Sequence, residues 1–123
     1  MDKTILTLLG IVFVVVGILG FFNDPVLGVF DVDMLHNVIH VLSGVLLLGA
    51  VGMGTDVMHT YAKIFGVIYG VVAAIGFFTA GDMILGLFAS NFADDVLHLV
   101  LAVVLLYFGY GRVESHTPAE AAM

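Results

Sequence analysis

Two short segments carry the side chains best suited to chemistry: LHNVIH at residues 35–40 and ADDVLH at residues 93–98. In the first, His36 and His40 are four apart and share one face of a helix. In the second, Asp94 and His98 are four apart, and Asp95 and His98 are three apart on an adjoining stripe. Neutral imidazoles of His36, His40 and His98, with a carboxylate from Asp94 or Asp95, form a nitrogen and oxygen set that suits zinc, copper(II) or iron(II). The same chain of His and Asp, without a ligand, would serve as a proton relay or pH sensor. A bis-histidine haem between His40 and His98 is a further reading, disfavoured by two carboxylates beside an apolar macrocycle. No Glu follows His36 as the zinc-protease HExxH motif requires, and no nucleophile and general-base pair stands outside the cluster. An enzyme therefore ranks behind a binding protein.

Each of these residues also has a structural role to weigh. Asp33 and Asn91 are good N-cap residues, and Asp94 sits three residues after Asn91, where a carboxylate meets free amides and the positive end of the helix dipole. For Asp94, capping takes precedence over ligation. Asn37 and Asp95 have simple roles open to them at the headgroups or between helices. For His40 and His98 two readings stay open: an interhelical hydrogen bond, or a ligand or proton site. His59, near Asp56, and His116 read as solvated.

The elements that must position these groups follow from composition. Of 123 residues, 62% are hydrophobic and 11% charged, against about 25% charged in a soluble domain, and the mean hydropathy is +1.21. The chain reads as a membrane protein whose apolar blocks leave no room for a separate soluble domain. The lack of Cys excludes disulfides, Cys-ligated zinc and iron-sulfur clusters. A net charge of -7 argues against nucleic acid as a partner. The partners left are the lipid bilayer and, within it, a second copy of this chain or another membrane protein.

Four spans are expected, at Ile5–Phe22, Met34–Met53, Tyr61–Ala80 and Phe92–Gly111, each near the roughly twenty residues that cross a bilayer. The first lacks the small residues of a signal-peptidase site and is read as uncleaved. The fold class is thus all-α: a transmembrane four-helix bundle over residues 1–112, followed by a polar tail at 113–123. Lys3, Lys63 in the turn entering the third span, and Arg112 fall on one side of such a hairpin chain. The positive-inside rule makes that side cytoplasmic, with both termini inside and the chain in the plasma (inner) membrane. The opposite loops, 23–33 and 81–91, have no Lys or Arg but carry Asp24, Asp31, Asp33 and Asp82, so the outer face is acidic.

The two halves also resemble each other. Gly10, Gly20, Phe21 and Phe22 recur as Gly66, Gly76, Phe77 and Phe78, LGVF at 27–30 recurs as LGLF at 85–88, and His40 matches His98. Repeats of about 4–55 and 60–112, each a two-span hairpin, are then related in parallel by an axis along the membrane normal. Gly10 with Gly66, Gly17 with Ala73, Gly20 with Gly76, and Gly44 with Ala102 are the expected close crossings, because helices in lipid associate through close backbone approach. Gly66 and Gly70 form a GxxxG that carries little weight for dimerisation in a chain with 15 Gly. The LGVF and LGLF segments are expected as half-turn lids over the mouth of the bundle.

On these motifs the sequence resembles the small four-span prokaryotic membrane proteins of the domain-of-unknown-function family 4383. Their signature is Leu-His-Asn-x-x-His in span two and Asn-x-Ala-Asp-Asn-x-Leu-His in span four. The first is complete at Leu35, His36, Asn37 and His40. The second reads Asn91, Ala93, Asp94, Asp95, Leu97 and His98, departing at Asp95. The resemblance implies four helices and a membrane location, and no reaction. The function expected from the residues is an outward-opening His and Asp cluster that binds a divalent cation or responds to protons. The alternative is a structural or partner-binding bundle without a ligand.

Overall fold

The computed structural model describes residues 2–79 and 83–110; Asp82, Arg112, His116 and the tail 113–123 lie outside the described residues. Four helices follow one another: α1 (Asp2–Gly20), α2 (Met34–Met53), α3 (Thr55–Phe78) and α4 (Phe92–Tyr110). All four are long and apolar enough to cross a membrane, and the chain is a multi-pass membrane protein built almost wholly of helix.

Apolar and small residues at heptad-like spacing decide which face turns inward. Leu6, Gly10, Phe13, Gly17 and Gly20 are the buried positions of α1, while Leu8, Val12, Val15 and Ile18 stay exposed. Such an exposed apolar girdle would be a liability in water and is what lipid solvates. Leu47, Ala50 and Val51 of α2 meet Met58, Tyr61 and Ala62 of α3 and Leu101, Leu105 and Phe108 of α4 in one core.

The bundle divides into two tightly packed hairpins, α1 with α2 and α3 with α4, joined by a smaller α2–α3 contact. Glycines set the first kind of packing. A Cβ on Gly10 would come within 2.9 Å of the Leu48 side chain, and one on Gly44 within 2.7 Å of the Gly10 carbonyl oxygen. Gly17 lies against Val41, and Gly66 against Leu106. Ala73 and Ala102 are buried, and Gly70 faces Ala102, so the GxxxG of α3 is used inside the bundle.

Three expectations change. The third span starts at Thr55, not Tyr61, because Gly54 alone, at φ 120°, turns the chain from α2 into α3. Lys63 is consequently inside α3 rather than in a turn; its Nζ reaches back over the Tyr110 ring, 5.2 Å from the centroid, and its backbone packs on Gly109. The first span ends at Gly20, short of Phe22. The LGVF and LGLF segments are not helical half-turns: Leu27 and Gly28, and Leu85 and Gly86, all take positive φ and form primed turns closing small antiparallel ribbons. One is the Val26–Phe30 bridge, the other strand β1 (Met83–Ile84) paired with β2 (Phe88–Ala89). This is a small departure from a purely helical fold.

The two loops are tied to each other through the helix caps. Asp33 caps α2 by accepting from His36 N (2.9 Å), while its other oxygen accepts from Ala89 N in the second ribbon (2.8 Å). Asn91 accepts from Asp94 N (2.9 Å), and its amide donates to Val29 O in the first ribbon (2.8 Å). Each cap thereby holds the opposite hairpin's loop, and the roof over the helix ends is cross-braced.

Candidate metal centre

His36, His40 and His98 project from α2 and α4 just beneath that roof, each at most 5% exposed. One ring nitrogen from each lies within 4.8 Å of the others, and among the described residues this is the group able to hold a metal ion. The rings are separated, centroid to centroid, by 4.9 Å (His36 to His40), 5.5 Å (His36 to His98) and 6.0 Å (His40 to His98). The i, i+4 spacing on α2 brings the first two together; only packing of α2 against α4 supplies the third.

The Nδ1 atoms of all three histidines are buried without a hydrogen-bond partner. Buried polar atoms in native proteins are nearly always paired, so three orphaned nitrogens on three neighbouring rings are unusual. No hydrogen bond joins His40 to His98. A tetrahedral ion with bonds of about 2.0–2.1 Å would hold its ligand nitrogens roughly 3.4 Å apart. The rings must therefore close by at most about 1.4 Å around an ion, a movement that imidazole rotation on χ1 and χ2 supplies.

The carboxylates are occupied elsewhere. Asp94 accepts from Asn91 N (2.9 Å), completing a reciprocal cap with that residue. Asp95 accepts from Ser90 Oγ (3.0 Å) and lies against Gly76, where a Cβ would overlap its Oδ1. Asn37 takes the matching position over Gly20, with its Oδ1 unpartnered. Gly20 and Gly76 thus make room for a polar side chain as well as for a helix. Both Asp residues are buried within 5% exposure, but neither belongs to the group of mutually close ligand atoms.

The cluster does not open at the roofed end of the bundle. Phe88 of β2 stacks obliquely on His36 at 5.4 Å, and Phe13 of α1 packs on His40 at 5.5 Å. The roof and these rings close it from above and from one side. The cavities adjoining His40 measure about 220 and 110 Å³.

Two residues of this region escaped the sequence reading. Ser43 and Tyr69 are joined by a 2.9 Å hydrogen bond between their hydroxyls, and Tyr61 donates to the Ser43 carbonyl oxygen. Tyr69 also packs on His98 at 5.6 Å. Ser43 continues the face of His36 and His40 by one turn, a spacing visible in the sequence. Tyr69 carried no such signal, since its value depends on what α3 faces.

No curated protein and no solved structure gives a significant match to this sequence. A family model does match, over residues 3–111, and the histidines, caps and glycines described above all fall within it. The chain belongs to the family described as Domain of unknown function (DUF4383).

Proposed function

We propose that this membrane protein binds one divalent transition-metal cation through His36, His40 and His98. The observation that carries the reading is the set of three buried imidazoles with ring nitrogens within 4.8 Å of one another and every Nδ1 unpartnered. All-nitrogen ligation suits zinc, copper(II) or iron(II), and three protein ligands leave a further coordination position open. Asp94 and Asp95 are not ligands in this reading: neither belongs to the group of mutually close ligand atoms, and each gives an oxygen to a neighbour, Asp94 to Asn91 N and Asp95 to Ser90 Oγ.

The bundle sits in the plasma membrane with both termini cytoplasmic and the roofed end outside, a reading supported by Lys3 and Lys63 at the opposite end and the acidic loops at this one. The two hairpins are repeats related about the membrane normal. Support comes from Leu27 and Leu85 (φ 55° and 53°), Gly28 and Gly86 (φ 73° and 72°), and the polar residue facing glycine in each hairpin.

Metal analysis tests the reading. Protein purified without chelators is expected to retain about one equivalent of zinc, copper or iron, and His40→Ala to lose it. Wild-type protein that neither retains nor takes up any of the three would overturn it and leave a ligand-free structural bundle.

A further inference from the structure

Leu27 and Leu85 hold matching places in the two ribbons and share a backbone conformation that their side chains disfavour. Their φ angles are 55° and 53°, in the left-handed region where a branched apolar side chain is strained and where Asn, Asp or Gly is the usual first residue of a primed turn. The bundle does little to offset this, because the two side chains are 75% and 68% exposed. Both halves of the chain nevertheless place Leu there, ahead of Gly28 and Gly86.

The ribbons lie level with the helix ends at the roofed side. Leu27 and Gly28 line a surface hollow together with Leu19 of α1, and Val26, Leu27 and Phe30 border a cavity that also touches Val12 and Val16. In the other half, Phe88 borders a cavity with Ile68 and Val72 of α3. Helix α1 has 19 residues and so measures about 28 Å against a hydrocarbon core of roughly 30 Å. Leu19 therefore stands at the hydrocarbon boundary, and the first ribbon tip with it. Phe22 and Phe78, beside the same helix ends, are 80% and 90% exposed and continue the apolar surface at this level.

The ribbon backbone suits a place with little water, where amides must find partners within the chain. Val26 N donates to Phe30 O (2.8 Å), Gly28 N to Pro25 O (3.1 Å) and Val29 N to Val26 O (3.0 Å). In the second ribbon Leu87 N donates to Ile84 O (2.8 Å), and β1 pairs with β2. No Lys or Arg stands in either loop, so attraction to anionic headgroups has no part.

We propose that Leu27 and Leu85 are membrane anchors: each side chain inserts into the leaflet at the roofed end and holds its ribbon against neutral lipid, at the boundary between headgroups and acyl chains. Lipid then covers apolar surface that the bundle leaves open, which offsets the left-handed strain. The anchors pin the roof above the histidines from two sides. They depend neither on the cation reading nor on which face of the membrane the roof occupies.

Spin-label accessibility on the full chain in phosphatidylcholine nanodiscs tests this, and each introduced Cys is unique because the sequence has none. Labels on Val29→Cys and Leu87→Cys, beside the anchors, are expected to collide more with oxygen than with a water-soluble nickel chelate. A label on Val15→Cys, on the exposed apolar side of α1, gives the reference in lipid, and one on Asp56→Cys, exposed in the first turn of α3, the reference in water. Adding Leu27→Asn should shift the Val29→Cys label toward nickel, and Leu85→Asn the Leu87→Cys label, because Asn tolerates the left-handed turn but lacks the apolar side chain. Ribbon labels as open to nickel as Asp56→Cys would overturn the proposal. So would labels shielded from both reagents, which would put a second copy of the chain over the tips, or labels that do not move when Asn replaces Leu.

Discussion

The imidazoles of His40 and His98, one on α2 and one on α4, stand 6.0 Å apart with no hydrogen bond between them, and each keeps a buried, unpartnered Nδ1. A pair conserving structure alone would be expected to use those atoms on each other. A third histidine, His36, lies close to both, at 4.9 and 5.5 Å between ring centroids, and this trio is what the proposed cation site rests on.

The first prediction concerns pH and metal. Ligation needs neutral imidazoles, so protons compete, and the apparent affinity for zinc should fall as pH is lowered and recover as it is raised. Zinc at a hundred times its dissociation constant should stabilise the wild-type protein by about 2.7 kcal/mol. His36→Ala and His98→Ala should remove that stabilisation. Thermal unfolding in detergent with and without zinc checks all three statements, and equal shifts in wild type and variants would count against the site.

The second concerns the glycines beneath polar side chains. Gly76→Ala drives a methyl group into the Asp95 carboxylate, and Gly20→Ala drives one into the Asn37 amide. Each should destabilise by about 1–3 kcal/mol, the usual cost of overpacking. Gly49 and Gly52 face open space, so Ala there should be neutral or stabilising by up to about 1 kcal/mol. Equilibrium unfolding of the four single variants reads the contrast.

The third isolates the hydroxyl pair. A double-mutant cycle of Ser43→Ala and Tyr69→Phe should give a coupling on the order of 0.6 kcal/mol, the average for side-chain hydrogen bonds within membranes. A coupling indistinguishable from zero would mean that the 2.9 Å contact adds nothing to folding stability.

The fourth concerns the cross-braced roof. Asp33→Ala removes both the α2 cap and the bond from Ala89 N. It should cost more than the roughly 1 kcal/mol of a lost cap alone, and amide exchange in Ala89 should accelerate although it lies 56 residues away. Unchanged exchange at Ala89 would separate the two loops.

The fifth fixes orientation. A cysteine at Thr55, the first residue of α3 at the Lys3 end, should be labelled only by a reagent with access to the cytoplasm, and one at Asn23 only from outside. The reverse pattern would invert the topology.

Four spans, their membrane location and the family were legible from the sequence because each rests on one-dimensional signals. An uninterrupted apolar run long enough to cross lipid needs no partner to be recognised, and the second span, Met34–Met53, has the same limits in the structure. The caps at Asp33 and Asn91 were legible for the same reason, since a cap bonds to amides two or three residues away. Helix α3 was harder: its start depends on Gly54 alone making the turn, so Lys63 was assigned to a loop that does not exist. The histidines were legible as residues, but their grouping was not. His36 and His40 share a face by periodicity, whereas His98 joins them only through the packing of α4. Local geometry likewise drew Asp94 to Asn91 and Asp95 to Ser90, and so away from the imidazoles. The placing of Tyr69 beside Ser43 and His98 was beyond reach of the sequence. It depends on which face of α3 turns toward α2, and in a bilayer that choice is made by close packing around small residues, not by the hydrophobicity that marks the spans.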